Sequence, residues 1–477
     1  MPAEPARKES LWDNIPSFPY CAPSCLRMFV MLFTLISLCS LPLFATNKTV
    51  VGYYYFWDKG SFPYTEIEYD KVSCIAHAFV IPNADGSISP ESGATWQNFL
   101  YPQMINTAHQ NNVKVVVSVG GWGNSSGFAP LAASATARAN FAGNMKNFCL
   151  QNNYDGVDID WEYPGNADRA IFVKMMEVLR DSLSSVSPRL SLSMTTPGYL
   201  ASGYDFQTLA GLVDWVGVMT YDYYGSWTAN SGFVSPLYTD PRNDQGSVNS
   251  SITQFIQSGS IPLSKLFMGL AFYGYNFQSG GLYQPRRGSA PSVSYSAAVG
   301  YENSGWTYNW DDVSKCPYLT DLTKTHIITF DDTISIKQKC DYLLNKNLGG
   351  VIIWRLGLDN LGASQPLLET TWKCLNTSTA IVYHNSSGKQ AQDFELQNYP
   401  NPFNPSTTIK FRVTSYGFVS LKVYDVLGRE VATLVNEREN AGSHAVIFDA
   451  SKLASGVYFC VLYANGKSIS KPMLYLK

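Results

Sequence analysis

The chain of 477 residues exceeds one compact domain and points to two or three. Charged residues make up 15%, where an ordinary globular chain carries about 25%, and the formal net charge is -3, so no basic field is available for nucleic acid or another polyanion. Hydrophobic content of 45% excludes disorder over most of the length, and an aromatic share of 14% beside so little charge suits a neutral, stackable ligand such as a sugar polymer.

After Arg7, Lys8 and Arg27, the run from Met28 to Phe44 is almost wholly apolar and ends beside Ala45, a small residue suited to peptidase cleavage. Residues 1–45 therefore read as a signal peptide region for export. A retained N-terminal anchor is the alternative, because the run sits at the lower limit for a membrane span. Six later cysteines, Cys74, Cys149, Cys316, Cys340, Cys374 and Cys460, show no close C-x-x-C spacing of the kind used by zinc or redox sites. Cys74 and Cys149 fall within apolar patterns and read as small buried hydrophobes, and Cys316 with Cys340 is a candidate bridge.

From residue 50 short β-branched or aromatic runs alternate with longer amphipathic stretches. The runs begin near Val50, Ser73, Lys114, Asp155, Leu190, Trp215, Phe267 and Gly350. Eight strands separated by helices predict an α/β fold, a (β/α)8 TIM barrel over residues 46–375. Helical spacing of Phe141, Met145 and Phe148, and of Ile171, Phe172, Met175, Val178, Leu179 and Leu183, marks two of the outer helices. The interval from Phe267 to Gly350 is about twice an ordinary strand-helix unit. A small α+β insertion is therefore expected between strands seven and eight, over about 276–330.

Residues 376–393 turn polar and lose periodicity, which reads as a linker. Beyond it, Thr407–Val413, Val419–Tyr424, Glu430–Val435, His444–Phe448, Gly456–Tyr463 and Ser468–Tyr475 alternate between turn signals. They predict a C-terminal all-β, immunoglobulin-like sandwich over residues 394–477.

The chemistry concentrates in the fourth run, Asp155-Gly-Val-Asp158-Ile-Asp160-Trp-Glu162. Period-2 geometry puts Asp158, Asp160 and Glu162 on one face and Val157, Ile159 and Trp161 on the other. The apolar face can meet the outer helices, which leaves the carboxylates to point into the barrel. Crowding three like charges drives their pKa values apart. Glu162 stands last, at the C-terminal mouth where barrel enzymes keep their chemistry. A protonated acid there, backed by charged aspartates deeper in, can protonate a glycosidic oxygen and then stabilise a cation. A Ca²⁺ or Mg²⁺ site is the alternative use of such a cluster, though it would draw ligands from several loops. Asp155 is out of phase with the other three and reads as a turn residue.

This segment resembles the D-G-x-D-x-D-x-E signature of family 18 glycoside hydrolases, the chitinases and their relatives, and the resemblance runs from Val50 to about Cys374. Ser118-Val-Gly-Gly121-Trp122 resembles the family's S-x-G-G motif, Met219-Thr-Tyr221-Asp222 its M-x-Y-D motif, and Gly349-Gly-Val-Ile-Ile-Trp354 its strand-eight segment. The long insertion resembles that of the deep-cleft subfamily. The resemblance implies hydrolysis of β-1,4-linked N-acetylglucosamine, in chitin or its oligosaccharides, with the substrate's acetamido oxygen as nucleophile and an oxazolinium intermediate. In that scheme Glu162 is acid and then base, Asp160 holds the acetamido N–H, Asp158 shares the proton of Asp160, and Tyr221 donates to the acetamido oxygen. Asp222 binds substrate and modulates Glu162. No metal and no other cofactor is implied. An endo-β-N-acetylglucosaminidase acting on glycoprotein or peptidoglycan glycans, and a non-catalytic chitin-binding lectin, are the alternatives.

The resemblance further implies that Trp354 lies beneath the sugar at the cleavage point, and that Met219, Tyr53, Trp57, Trp122, Trp227 and Tyr273 belong to the substrate-binding surface; plain core packing is the alternative for these aromatics. Where many relatives carry Arg shortly after the strand-seven tyrosine, this chain has Tyr275. Asn398-Tyr-Pro-Asn-Pro-Phe-Asn-Pro-Ser-Thr-Thr408, Val423–Val431 and Ala454–Tyr458 resemble the C-terminal sorting domain of the type 9 secretion system. That implies a bacterial protein, secreted or held at the cell surface, with the outer-membrane secretion machinery as a partner. A carbohydrate-binding module or a spacer is the alternative for the sandwich.

Overall fold

A computed structural model describes residues 48–376, 395–413, 417–426, 429–464 and 467–477. The signal region expected over 1–45 lies outside them, as does the expected linker except for Asn376, which ends a helix.

Eight parallel strands form a closed ring: β1 (Thr49–Tyr55), β2 (Cys74–Pro82), β3 (Lys114–Gly120), β4 (Gly156–Asp160), β5 (Ser191–Pro197), β6 (Trp215–Met219), β7 (Leu266–Ala271) and β8 (Gly350–Trp354). Each pairs with the next, and β1 closes the barrel by pairing with both β2 and β8. Both faces of such a ring are covered, which is why the strands are near-continuous apolar runs rather than strict alternations. All eight begin within one residue of the sequence expectation.

Two apolar layers result. Val157, Ile159 and Trp161 face outward into the shell between strands and helices, where the Trp161 ring stacks on Phe128 at 5.2 Å. Helix Ala135–Asn152 begins where the Ser134 side chain accepts a hydrogen bond from the Ala137 N–H, and it ends where Asn153 takes a left-handed conformation, φ 62°. Those caps satisfy backbone groups at the two ends and set the helix in register, so that Phe141, Met145, Phe148 and Cys149 all face the barrel. Each such side chain contributes about 1.5–3 kcal/mol by leaving water. Helix Arg169–Ser184 buries Phe172, Met175, Leu179 and Leu183 in the same way. A second, inner cluster fills the lumen with Val51, Cys74, Ala76, Val116, Trp215, Phe267 and Ile352, so Cys74 is a packed hydrophobe inside the barrel.

Between β7 and β8 the chain builds a five-stranded antiparallel sheet, in the order Ser292–Ser294, Tyr273–Phe277, Ile327–Thr329, Cys316–Thr320, Thr307–Asp311, with helix Tyr295–Asn303. It starts at Tyr273, slightly before the expected boundary, because the chain leaving β7 runs directly into the new sheet. The C-terminal module has two sheets. One orders Glu395–Tyr399, Ser406–Val413 and Gly442–Asp449, and the other Glu430–Glu439, Gly417–Asp425, Gly456–Ala464 and Lys467–Tyr475. Leu396, Ile409, Phe411, Leu421, Leu462 and Met473 meet between them. Strand Glu395–Tyr399 was not anticipated; it precedes a proline-rich stretch whose composition masks the pairing to Ser406–Val413. The module touches the insertion through Arg438, which pairs with Glu302 at 2.5 Å and lies over the Tyr308 ring at 5.1 Å. A cavity of about 180 Å³ lies at this contact, lined by Tyr295, Glu302, Asp332 and Phe418 among others.

Asp155 proves to be a tie at the entrance of β4. Its Oδ2 accepts from the Val115 N–H at 2.7 Å and lies 2.8 Å from His109 Nε2, joining β3 and a flanking helix to the strand that carries the carboxylates. Asp155→Ala is expected to lower the unfolding free energy by about 1–3 kcal/mol in urea titration, whereas an unchanged midpoint would assign the tie no energetic weight.

Candidate active site

Register explains how Asp158 is held. Its lateral partners are Ser118 on β3 and Ser193 on β5, so two hydroxyls from neighbouring strands reach one carboxylate. Ser118 Oγ donates to Oδ2 at 2.9 Å and Ser193 Oγ to Oδ1 at 2.6 Å. Tyr53, from β1, adds a third donor at 2.7 Å. Asp160, one step toward the mouth, accepts only from Thr195 Oγ1 among the side chains described. Glu162 follows the end of β4. Its backbone N–H donates to Ser125 Oγ at 3.0 Å, and its carboxyl group is hydrogen-bonded by Tyr163. The Glu162–Tyr163 and Trp354–Arg355 peptide bonds at this mouth are both cis.

The S-x-G-G segment has a clear physical basis. Gly120 and Gly121 have φ of 107° and 83°, in the left-handed region, and a Cβ on Gly120 would stand 2.2 Å from the Asp160 carbonyl oxygen. The Gly121 N–H donates to that same oxygen at 2.8 Å. Only glycine lets β3 turn this close to the carboxylate strand.

The three carboxyl groups do not share one environment. Burial raises the pKa of Asp158, and the hydroxyls of Ser193, Tyr53 and Ser118 oppose that rise. Asp160 is pushed well above the usual carboxylate range, first by burial and then by the charges of Glu162 and Asp158, with Thr195 the lone opposing hydrogen bond. Burial also pushes Glu162 up to about 7; the Tyr163 hydrogen bond opposes the shift and Asp222 adds to it. The sequence reading placed charged aspartates beneath a protonated glutamic acid. In the structure the two aspartates differ in support: Asp160 has a single hydroxyl donor to stabilise its anion and is the harder to ionise, while Asp158, with three, is the better equipped to carry charge.

Asp222 follows β6 in a left-handed conformation, φ 60°. Although the residue is exposed, its carboxyl group is sheltered between two tyrosines, accepting from Tyr273 at 2.6 Å and Tyr275 at 3.2 Å. That shelter raises its pKa and the two hydroxyls oppose the rise. Tyr275 therefore acts on Asp222 as a neutral donor. Tyr221 packs edge-on against Tyr273 at 6.2 Å, and burial holds its hydroxyl well above the usual tyrosine pKa, so it stays a donor.

Of the aromatics singled out from sequence, Trp354 is half-buried at the end of β8, stacked on Phe79 at 5.7 Å and 5.6 Å from the Tyr53 ring. Since the Tyr53 hydroxyl is bonded to Asp158, this floor adjoins the carboxylate column. Tyr53 and Tyr273 are themselves buried, their hydroxyls committed to Asp158 and Asp222, and Met219 packs into the lumen cluster. Trp57, Trp122 and Trp227 are 50%, 78% and 56% exposed, so their rings are open to a ligand. Trp227 stands edge-on to Tyr275 at 5.6 Å. Sequence reasoning gave no role to Ser118, Ser193 and Thr195; the signal available was their phase, since all three lie at lumen-facing positions beside the aspartates. Among the described residues no cluster of three or more His, Cys, Asp or Glu side chains is arranged to hold a metal ion.

A match to glycosyl hydrolases family 18 covers residues 49–359, and one to the secretion system C-terminal sorting domain covers residues 397–475. Chitinase A1 of Niallia circulans is 30% identical over 309 residues, 56% of this chain and 44% of that protein, so the chain spans under half the length of that relative. Chitinase 1 of Aphanocladium album is 27% identical over 72% of this chain and 85% of its own length. Among solved structures, Group IV chitinase of Ostrinia furnacalis in complex with allosamidin superposes with a TM-score of 0.61 at 28% identity, covering 68% of this chain and 97% of that one. A family 18 N-acetylglucosaminidase from Paenibacillus barengoltzii gives 0.62 at 26% identity, covering 69% and 100%.

The pKa of Glu162 has a consequence for stability. Its folded value, about 7, lies above the ordinary 4.5, so its contribution is favourable at low pH and is lost as pH rises through 7. Glu162→Gln removes that loss. The variant is expected to gain about 2–3 kcal/mol relative to wild type between pH 4.5 and pH 8 in denaturant unfolding; a difference independent of pH would contradict the assignment.

Proposed function

The chain belongs to glycosyl hydrolases family 18, and from that premise we propose that it is a secreted chitinase that cleaves β-1,4-linked N-acetylglucosamine with retention. The observation that carries this reading is the column of Asp158, Asp160 and Glu162, its outermost acid protonated near neutrality, beside the half-buried ring of Trp354.

In the proposed reaction the flat face of the sugar stacks on Trp354. Glu162 donates its proton to the glycosidic oxygen, the bond from C1 to that oxygen breaks, and the acetamido oxygen of the same sugar attacks C1 to form an oxazolinium ion. Asp160 passes its proton toward Asp158, whose three hydroxyl donors adjust to either state, and the freed oxygen accepts the acetamido N–H. The resulting negative charge offsets the oxazolinium cation. Tyr221 donates to the acetamido oxygen and fixes its direction of attack. Glu162, now a carboxylate, takes a proton from the water that opens the oxazolinium ring at C1, which restores the starting configuration. Asp222 contributes from the side: while charged it discourages ionisation of Glu162. No metal enters this chemistry, so activity is expected to survive EDTA.

Trp57, Trp122 and Trp227 would extend the stacking surface along a polymer. The sorting domain supports export to the cell surface or beyond, with the outer-membrane secretion machinery as its partner. A second reading, an N-acetylglucosaminidase that removes or releases single units, is favoured by the likeness to the Paenibacillus barengoltzii enzyme; the length of the products separates the two.

The test is release of N-acetylated oligosaccharides from chitin by the wild type and by Glu162→Gln. Wild type is expected to release them, and the variant to lose about 10²–10⁴-fold in kcat while still binding. Binding by both proteins with cleavage by neither would replace the enzyme with a chitin-binding lectin.

A further inference from the structure

The loop that follows β6 carries Trp227, and one side of it is stitched to the insertion. The Ser231 N–H donates to the Gln284 carbonyl oxygen at 2.9 Å, the Tyr283 N–H to the Ser231 carbonyl oxygen at 3.1 Å, and the Arg286 N–H to the Ala229 carbonyl oxygen at 3.1 Å. The half-buried side chain of Arg286 strengthens this seam. Its Nε donates to the Thr228 carbonyl oxygen at 2.5 Å and its Nη2 to the Ser226 carbonyl oxygen at 2.5 Å, while Nη1 donates to the Gly288 carbonyl oxygen on its own side. One guanidinium therefore holds both residues that flank Trp227. Its planar fork of N–H groups is what allows one side chain to serve three carbonyls at once.

Within the loop the turn is tight. The Thr228 N–H donates to the Gly225 carbonyl oxygen at 3.2 Å, and Thr228 Oγ1 lies 2.9 Å from that oxygen and 2.7 Å from the Asn230 carbonyl oxygen. The Trp227 ring folds back over Gly225, where a Cβ would stand 2.3 Å from it, and it meets the Tyr275 ring edge-on at 5.6 Å. Even so, Trp227 remains 56% exposed. Packing covers less than half of the residue, so the direction of its ring depends on the backbone at Ser226 and Thr228.

We propose that Arg286 is a positioning residue for the substrate: by fixing Ser226 and Thr228 it holds the Trp227 ring ready to stack on a sugar of a longer chain, and so sets affinity for that chain rather than the rate of bond breaking. This rests on the reading of the protein as an enzyme acting on N-acetylglucosamine polymers. A ring already held in place loses less freedom when a sugar stacks on it, so rigidity of the loop is expressed as affinity. Arg286 spends its hydrogen bonds on backbone carbonyls and reaches the sugar only through Trp227. The insertion thereby acts on the cleft at two points, at Asp222 through Tyr273 and Tyr275, and at Trp227 through Arg286.

The experiment measures kcat and KM of the full chain on a long N-acetylglucosamine oligomer for Arg286→Ala, Trp227→Ala and the double variant. Arg286→Ala is expected to raise KM about 10-fold, with kcat changed by less than about 2-fold. In the Trp227→Ala background the same substitution should add nothing to KM, because the ring it positions is gone. Arg286→Lys, which keeps the charge but not the fork, should recover part of the affinity, and it is read in place of the alanine variant if that one fails to fold. Replacing the exposed neighbour Arg287 by alanine should leave KM unchanged. Without substrate, amides of the loop from Ser226 to Ser231 should exchange hydrogen faster in Arg286→Ala than in wild type. An unaltered KM, a fall confined to kcat, or effects of Arg286→Ala and Trp227→Ala that simply add would overturn the proposal. A wild type that cleaves nothing would instead sink the enzyme reading, and the same set of variants, compared by calorimetric affinity for the oligomer, would still decide whether Arg286 acts through Trp227.

Discussion

Three carboxyl groups on one face of one strand, enclosed by a barrel, form the constraint around which this protein is built. Full ionisation of all three would place like charges side by side with little water to screen them. The fold resolves this by distributing hydroxyl donors unequally. Asp158 receives three, from Tyr53, Ser118 and Ser193, and can bear charge. Asp160 receives one, from Thr195, and burial with its charged neighbours favours its protonated form. Glu162, at the mouth, is left with an acid strength near neutrality. Small hydroxyl-bearing residues on β3 and β5 are thus as much a part of the site as the acids on β4, because a barrel lined there by valine or leucine could not hold the column.

The remainder of the barrel serves that column. The outward side of β4 is anchored by Val157, Ile159 and Trp161 in the helical shell, and this fixes which way the carboxyl groups point. Gly120 and Gly121 bring β3 against the Asp160 backbone. The insertion supplies a second control on Glu162: Tyr273 and Tyr275, from its first strand, hold Asp222 at the rim. Asp222 is stabilised there by hydrogen bonds from neutral hydroxyls, and burial leaves its pKa raised. In the proposed enzyme that weakens the field Asp222 exerts on Glu162 whenever Asp222 is protonated.

Much of this was legible in the sequence, for identifiable reasons. Parallel barrel strands are short, β-branched and separated by amphipathic helices, so the starts of β1 to β8 could be read from the apolar runs. The phase of Asp158, Asp160 and Glu162 follows from the period of a strand, and Trp161 between them marks the opposite face. What stayed hidden depends on partners distant along the chain. Ser193 and Thr195 look like ordinary polar residues of β5 until the register sets them beside Asp158 and Asp160. Tyr53 and Tyr273 read as aromatics for a ligand, and only the fold commits their hydroxyls to Asp158 and Asp222. The unequal support of the two aspartates stayed hidden for the same reason, since a count of acids does not reveal a count of donors. Strand Glu395–Tyr399 was obscured by the prolines that follow it, and Cys316 and Cys340 are free thiols rather than the candidate bridge.

The central claim is that burial, with Asp222 adding to it, keeps a proton on Glu162 at neutral pH and that this proton is the one delivered to the glycosidic oxygen. The pH dependence of kcat/KM on a soluble N-acetylglucosamine oligomer addresses it directly, since it reports the ionisation of the free enzyme. The account requires activity to fall as pH rises through a pKa near 7. Activity that falls already above the ordinary glutamate pKa of 4.5, or that stays level to pH 9, would contradict it.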